Sequence, residues 1–226
     1  MTAGFHEPPP GRPAGAGRPF PREILAGDTV VAARAILGAL LVREPEDPGG
    51  ARRAGRIVEV EAYVGEDDRA SHARMGPTPR NRVMFGPPGI AYVYLVYGMH
   101  HCLNVVTEEA PRPAALLIRA VEPVEGLDEM RAVRKAARAG GRDIPDARLA
   151  AGPGLVGLAF GLDRTATGLD LCDPGSPLRI EVAPSSVPAP RVVATPRIGI
   201  AYAGEPWTGK PWRFLVAGSR SITRLR

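Results

Sequence analysis

Residues 55–64 read GRIVEVEAYV, and their regular alternation is typical of a β-strand. Its two faces would carry different side chains: Ile57, Glu59, Glu61 and Tyr63 on one, and Val58, Val60, Ala62 and Val64 on the other. We expect the valine and alanine face to meet the hydrophobic core. Glu61 would then either serve a function or face solvent, as many strand glutamates do.

Three further strands are predicted after this segment. Residues 91–97 and 101–107 would form a hairpin that turns at residues 98–99. Residues 114–121 would form a buried strand, AALLIRAV, which contains a single charge. The intervening residues 65–88 are polar and rich in turn formers, and a loop of that length inside a compact domain is usually functional.

The rest of the chain mixes short helices and short strands. Upstream, Asp28 would cap a helix and residues 39–43 would form a strand. Downstream, the predicted elements are helices over residues 126–139 and 146–162, and strands near residues 178–182, 197–203 and 212–216. Since there is no internal repeat and no strand–helix–strand rhythm, we predict an α+β fold: a single domain with a curved, mainly antiparallel β-sheet and surrounding helices.

The composition suits a folded domain with a polar tail. Of the 226 residues, 44% are hydrophobic, and the net charge is +5. That charge is compatible with a polyanionic partner and equally with an ordinary basic surface. Residues 1–18 are rich in Pro, Gly and Arg and are expected to form a disordered tail, which leaves residues 19–226 as the folded domain.

Residue types that bind metals are sparse. The two cysteines, Cys102 and Cys172, form neither a metal-binding spacing nor a disulfide framework, and the histidines show no zinc-type pattern. We therefore expect no metal and no organic cofactor. The N-terminus lacks the apolar core of a signal peptide, and no apolar run is long enough to cross a membrane. The expectation is a cytoplasmic protein without membrane contact.

Glu61 and Arg119 are the first candidates for chemistry. Arg119 is the lone charge in an otherwise apolar strand, and burying a charge without a partner is costly. Glu61 or Glu59 is the obvious partner. Such a pair could hold a catalytic carboxylate in place, or it could be a purely structural ion pair.

Aromatic side chains are the second set of candidates. Tyr92 and Tyr94 would share a strand face, whereas Tyr97 has the opposite parity and lies at the hairpin tip. Core packing is the usual reason for clustered aromatics, but a tip tyrosine beside Gly98 is hard to bury. Projecting aromatics can stack on bases or wedge a duplex open. His72, in the long loop, could stack, form hydrogen bonds or do neither.

Taken together, these segments closely resemble the alkyladenine (3-methyladenine) DNA glycosylase family. The first motifs that carry the resemblance are GRIVEVEAY at residues 55–63, Ser71-His72, TPRNR at 78–82, Met84-Phe85 and YVYLVYGM at 92–99. It continues through LIRAVEP at 117–123, Gly152-Pro153, RIGI at 197–200 and AGE at 203–205. The resemblance therefore covers nearly everything from about residue 21 to 223.

The resemblance implies a base-excision-repair enzyme that flips a damaged purine out of DNA and hydrolyses its bond to the sugar. Its substrates would be alkylated purines, with deaminated and etheno purines as further ones. It implies that Glu61 activates the attacking water and that Arg119 holds the carboxylate and the water. The other implied roles are a base pocket of Tyr63, His72 and Tyr94, rejection of guanine by Asn104, and DNA intercalation by Tyr97.

Two features refine that implication. Glycosylases that also nick DNA use an amine nucleophile, and neither Lys135 nor Lys210 is near the motifs in sequence. We therefore expect a monofunctional enzyme that leaves an abasic site. Family members often carry a polar residue, commonly lysine, after the Gly-Pro-Gly turn, where this chain has Leu155. Main-chain groups or arginines would then have to grip the DNA there.

Two other classes of function stay open. A non-catalytic nucleic-acid-binding module would use the tyrosines for stacking and Glu61 for structure. A metal-dependent hydrolase could use His100 and His101, although adjacent strand residues point to opposite faces and share one ion poorly.

For a glycosylase of the family that the chain resembles, the expected partner is DNA containing damaged purines. The protein would act on it as a monomer and be nucleoid-associated when bound.

Overall fold

The computed structural model describes residues 17–47, 49–137 and 143–223. Residues 1–16 of the expected tail lie outside the described residues. The chain is joined to the domain from its first described residues onward, because the carbonyl of Arg18 accepts a hydrogen bond from the Val182 amide.

The described residues form four α-helices, eight β-strands and several 3₁₀ turns. The helices are α1 (Arg22–Ala26), α2 (Thr29–Ala35), α3 (Leu127–Ala136) and α4 (Pro153–Ala159). The strands are β1 (Leu40–Arg43), β2 (Arg53–Val64), β3 (Ala91–Val96), β4 (His100–Val106), β5 (Ala114–Glu125), β6 (Leu178–Glu181), β7 (Val192–Thr195) and β8 (Arg213–Val216). The 3₁₀ turns are Arg82–Phe85, Asp146–Arg148, Arg164–Ala166 and Ala201–Ala203.

All strand pairs are antiparallel and belong to one curved sheet with the order β3-β4-β5-β2-β1-β6. β2 pairs with three other strands: β5 runs along one of its edges, and β1 and β8 pair with successive parts of the other. β7 extends the sheet beyond β8. The single-domain α+β fold predicted from the sequence is confirmed.

The alternation of β2 holds from Glu59 onward but not before it. The register with β5 shifts between Ile57 and Val60, which marks a bulge. As a result Ile57, expected on the face of Glu59, instead belongs to the main core with Val60. The solvent view left open for Glu61 is also wrong, because that side chain has no solvent exposure.

The predicted hairpin and the cap at Asp28 are observed, whereas the helix predicted over residues 146–162 is divided into a 3₁₀ turn and α4. The Asp28 side chain accepts hydrogen bonds from the amides of Val30 and Val31. Gly152 and Pro153 separate a 3₁₀ turn from α4, with Pro153 in the first helical turn, where proline is tolerated. Part of the first predicted helix, residues 138–139, lies outside the described residues.

The strand predicted over residues 197–203 is wrong. That segment bends instead, and it ends in the 3₁₀ turn Ala201–Ala203, while the neighbouring strand is β7. The amide of Ile198 donates to the Glu61 side chain rather than to a strand, and Gly199 adopts a φ of 76°. Here a hydrogen bond to a side chain replaces the hydrogen bonds of a β-ladder. The apolar residues of this segment, from which the strand was predicted, do not indicate such a bond.

No helix in the described ranges is long and apolar enough to cross a membrane. The helices pack against the sheet, and α4 lies directly on β4. A Cβ added at Gly157 would be 2.0 Å from the carbonyl oxygen of His101. Only glycine allows this close approach of helix and strand.

We expect Gly157→Ala to destabilise the protein by about 1–3 kcal/mol, because α4 must move away from β4 to relieve the overlap. Urea denaturation would measure the loss. Gly27→Ala is the matched control, because its added Cβ would be 3.6 Å from the nearest atom and its φ is −79°. Equal stability of the two variants would contradict the described packing.

Candidate active site

A pocket of about 430 Å³ opens over β2, β3, β4 and β5. The long loop after β2 and the bent segment after β7 complete its walls. Its lining includes all the predicted site residues except Glu61: Tyr63, His72, Tyr94, Tyr97, Asn104 and Arg119. The sequence-predicted residues are therefore brought together, with Glu61 behind the lining formed by its neighbours.

Glu61 is held by three donors although it is fully buried. Its Oε2 accepts hydrogen bonds from the Tyr63 hydroxyl at 2.9 Å and from Nη1 of Arg119 at 3.1 Å. Its Oε1 accepts the amide of Ile198 at 2.7 Å. A carboxylate has about four lone-pair sites, so about one position remains for a further donor such as water.

Arg119 joins two carboxylates rather than one. Its Nε donates to Oε1 of Glu59 at 3.0 Å, and its Nη1 donates to Glu61. Burial opposes the charge of Arg119, but Glu61 and Glu59 raise its pKa overall. The sequence analysis left open whether Arg119 pairs with Glu61 or with Glu59, and in the structure it pairs with both.

Glu59 is the second anchor of this cluster. It also accepts hydrogen bonds from Nε of Arg213 at 2.7 Å and from the amide of Thr223 at 2.5 Å. The two glutamates and two arginines balance in charge, so the cluster remains buried without a net charge. This satisfies the condition that buried charges be paired and hydrogen-bonded.

A second buried ion pair, missed by the sequence analysis, supports the same wall. The guanidinium of Arg197 binds Asp68 with two hydrogen bonds, at 2.5 and 2.9 Å, and also donates to the carbonyl of Ala62. Its carbon lies 4.8 Å from the centroid of the Tyr63 ring. Arg197 therefore fixes that ring and places Ile198 beside Glu61. Arg197 entered the sequence analysis only through a resemblance motif, and Asp68 gave no signal at all.

Tyr94 and His72 form an aromatic wall with Tyr92 behind them. The rings of His72 and Tyr94 are nearly perpendicular, with centroids 4.4 Å apart, and Nδ1 of His72 lies 3.1 Å from the Tyr92 hydroxyl. Burial, Arg80 and Arg74 lower the pKa of His72 to about 4, so the imidazole is neutral at pH 7. His72 is an exposed residue, so solvent screens part of this effect.

The pocket tyrosines are also neutral. Burial, and next the charge of Glu61, raises the pKa of Tyr63 well above its usual range. Burial likewise raises the pKa of Tyr94. Their hydroxyls can therefore donate hydrogen bonds at any physiological pH.

Asn81 holds the long loop in shape and was not singled out from the sequence. Its Nδ2 donates to the carbonyls of His72 and Gly76, at 2.8 and 3.1 Å. Its Oδ1 accepts from the amide and the hydroxyl of Thr78. This buried amide sets the position of His72 against Tyr94.

Asn104 is buried in the pocket wall on β4, opposite Tyr92 on one strand and Leu117 on the other. Its Nδ2 donates to the carbonyl of Tyr92 at 3.1 Å. This bond holds the amide in one orientation, so its volume is a fixed part of the pocket.

Tyr97 projects from the hairpin tip into solvent. Its side chain is 88% exposed, and its φ of 52° is uncommon for a residue other than glycine. Met99, in the same turn, is 73% exposed, and Tyr202, which the sequence analysis did not single out, is 65% exposed on the pocket rim. Core packing therefore does not explain Tyr97.

The described ranges contain no group of three His, Cys, Asp or Glu side chains that could hold a metal ion. His100 packs against α4, where a Cβ on Gly154 would touch its side chain. Neither lysine lines the pocket: Lys135 pairs with Asp143, and Lys210 lies 4.2 Å from the rings of Trp207 and Trp212. Leu155, on the first turn of α4, is partly buried and offers no charge.

Comparisons with known proteins agree with this site. The sequence model of a family described as methylpurine-DNA glycosylase matches residues 23–220. The chain is 48% identical over 206 residues to a protein of Anaeromyxobacter dehalogenans, spanning 91% of this chain and 86% of that one. It is 47% identical over 205 residues to one of Myxococcus xanthus, spanning 91% and 93%. Both are named "Putative 3-methyladenine DNA glycosylase".

A mammalian relative is also similar. The mouse protein named DNA-3-methyladenine glycosylase is 47% identical over 194 residues, which span 84% of this chain and 56% of the mouse protein.

We expect Asp68→Asn to destabilise the protein by about 3–5 kcal/mol, because Arg197 would keep its charge in a buried place without a carboxylate. Asp67→Asn removes an exposed charge from the same loop and serves as the control. Chemical denaturation compares the two. A loss for Asp68→Asn no larger than that for Asp67→Asn would show that the buried pair does not support the site.

Proposed function

The chain belongs to the methylpurine-DNA glycosylase family, and from that premise we propose that it flips damaged purines out of DNA and removes them by hydrolysis. It is a DNA glycosylase of base excision repair, and its substrate is DNA. The mechanism rests on one observation: the carboxylate of Glu61 is buried behind an aromatic pocket and accepts three hydrogen bonds.

The burial of Glu61 supports the proposal that the base is flipped. A base inside a duplex cannot approach a buried carboxylate, so the nucleotide must leave the stack at a cost of a few kcal/mol. Stacking on Tyr63 and Tyr94 would recover about 1–3 kcal/mol of that cost. The exposed Tyr97 side chain would enter the duplex and fill the gap that the base leaves.

Hydrolysis would use the remaining acceptor position of Glu61. Water bound there would give a proton to the carboxylate as its oxygen attacks C1′ of the sugar. The electron pair of the C1′–N9 bond would leave with the base, and the Glu61 carboxylate would stabilise the developing sugar cation. Arg119 would hold the carboxylate in the geometry that this step needs.

The lesion range is also part of the proposal. Purines alkylated at N3 or N7 are cationic, stack well on tyrosine and leave readily. Etheno and deaminated purines are neutral and depend more on the pocket. Asn104 would exclude normal guanine, because its fixed amide occupies the space that the exocyclic amine requires. We further propose that the protein works as a monomer in the cytoplasm.

Glu61→Gln decides between this proposal and a non-catalytic nucleic-acid-binding module. We expect it to slow base release by at least about 100-fold, because the amide cannot accept a proton from water. Binding to the lesion-containing duplex should be largely kept, which also shows that the variant folds. Single-turnover release and a gel-shift titration would measure the two quantities.

Glu66→Gln is the control for that experiment, since Glu66 is exposed and lies two residues after the end of β2. It should leave both quantities unchanged. Base release by Glu61→Gln at the rate of the unmodified protein would exclude Glu61 as the base and favour the binding module.

We also propose a monofunctional enzyme that leaves an abasic site intact. Neither Lys135 nor Lys210 lines the pocket, which supports the proposal that no lysine attacks C1′. Borohydride added during turnover should therefore trap no covalent protein–DNA adduct, while a lyase-type glycosylase in a parallel reaction should be trapped. An adduct with this protein would contradict the proposal.

A further inference from the structure

Arg80 is a pocket residue to which the proposed mechanism gives no role. It lines the cavity, and its guanidinium carbon lies 5.2 Å from the centroid of the Tyr94 ring. Its side chain reaches the carbonyl of Leu95 only at 3.4 Å, a long hydrogen bond. It is exposed, and no carboxylate among the described residues forms an ion pair with it.

Carboxylates compensate Arg119 in the cavity lining and Arg197 behind it, whereas Arg80, the other arginine of the lining, has no such partner among the described residues. Arg119 is neutralised by Glu59 and Glu61, and Arg197 is neutralised by Asp68. No aspartate or glutamate of the described ranges lines the cavity. The wall that would surround a flipped base is therefore neutral and aromatic, with one net positive charge at Arg80.

Relative to the free enzyme and DNA, a positive charge affects the two chemical classes of lesion in opposite ways. When the C1′–N9 bond breaks, its electron pair goes to the base, and the charge of the base falls by one. A neutral purine such as hypoxanthine becomes negative, whereas a cationic purine such as 3-methyladenine becomes neutral. A nearby guanidinium stabilises the first product and repels the second substrate before it reacts.

We propose that Arg80 is a specificity-determining residue: its uncompensated charge assists the departure of neutral damaged purines and disfavours the binding of cationic ones. The inference rests on the proposed glycosylase function. The loop supports it, because the adjacent Asn81 is buried and holds that part of the loop. The charge of Arg80 also acts on His72: it is the second cause, after burial, of the lowered pKa of that imidazole.

The test compares the second-order rate constants for release of hypoxanthine and of 3-methyladenine from matched duplexes, measured in single turnovers with the enzyme below saturation. Arg80→Gln, which keeps the size and removes the charge, should lower the hypoxanthine-to-3-methyladenine rate ratio by about three- to tenfold. This is the size expected for one screened charge several ångströms from the leaving base. Arg80→Lys keeps the charge and should hold the ratio within about twofold of the unmodified protein.

Arg74→Gln is the matched control. Arg74 is also exposed on the long loop, but it faces Tyr202, with its guanidinium carbon 5.7 Å from that ring, and does not line the cavity. It should change both release rates in the same proportion and leave their ratio unchanged.

The outcomes separate three explanations. If Arg80→Gln lowers both rates equally and reduces the salt dependence of DNA binding by about one ion, Arg80 is a phosphate contact and the inference is wrong. An unchanged ratio without a salt effect overturns it too. If the unmodified protein releases neither base, the proposed function fails, and this inference fails with it.

Discussion

The negative charge of Glu61, buried without solvent, is the constraint on which the rest of the site depends. Such a charge requires a counter-ion and donors. Arg119 supplies both from β5, Tyr63 adds a hydroxyl from β2 itself, and Ile198 adds an amide from a distant segment. The central strands and the bent segment after β7 are therefore joined at one carboxylate.

Much of the fold could be predicted because its signals are local. The alternation of residues 55–64, the Gly98 turn and the apolar run around Arg119 each indicate an element without reference to the others. The bulge near Ile57 and the bend at residues 197–200 could not be predicted, because contacts with other strands and side chains create them.

The residues of the candidate site likewise comprise some that the sequence predicts and others that it does not. Residues that project from predicted strands, such as Glu61 and Tyr94, were identified from their faces and from a family resemblance. Asp68, Asn81 and Arg197 act through partners far along the chain, and no spacing rule joins Asp68 to Arg197. Supporting residues of this kind become visible only when the loops are folded. The residues that line the pocket are thus easier to predict from the sequence than the residues that hold the pocket in shape.

The hydrogen bond from the Thr223 amide to Glu59 links the end of the described chain to the charge cluster. During synthesis the sheet residues emerge from the ribosome first, but Glu59 gains its last donor only after residue 223 has emerged. A chain released early would hold Arg119 less firmly and position Glu61 less well. The charge cluster that positions Glu61 is therefore complete only when residue 223 is in place, so the site depends on the last described segment as well as on the sheet.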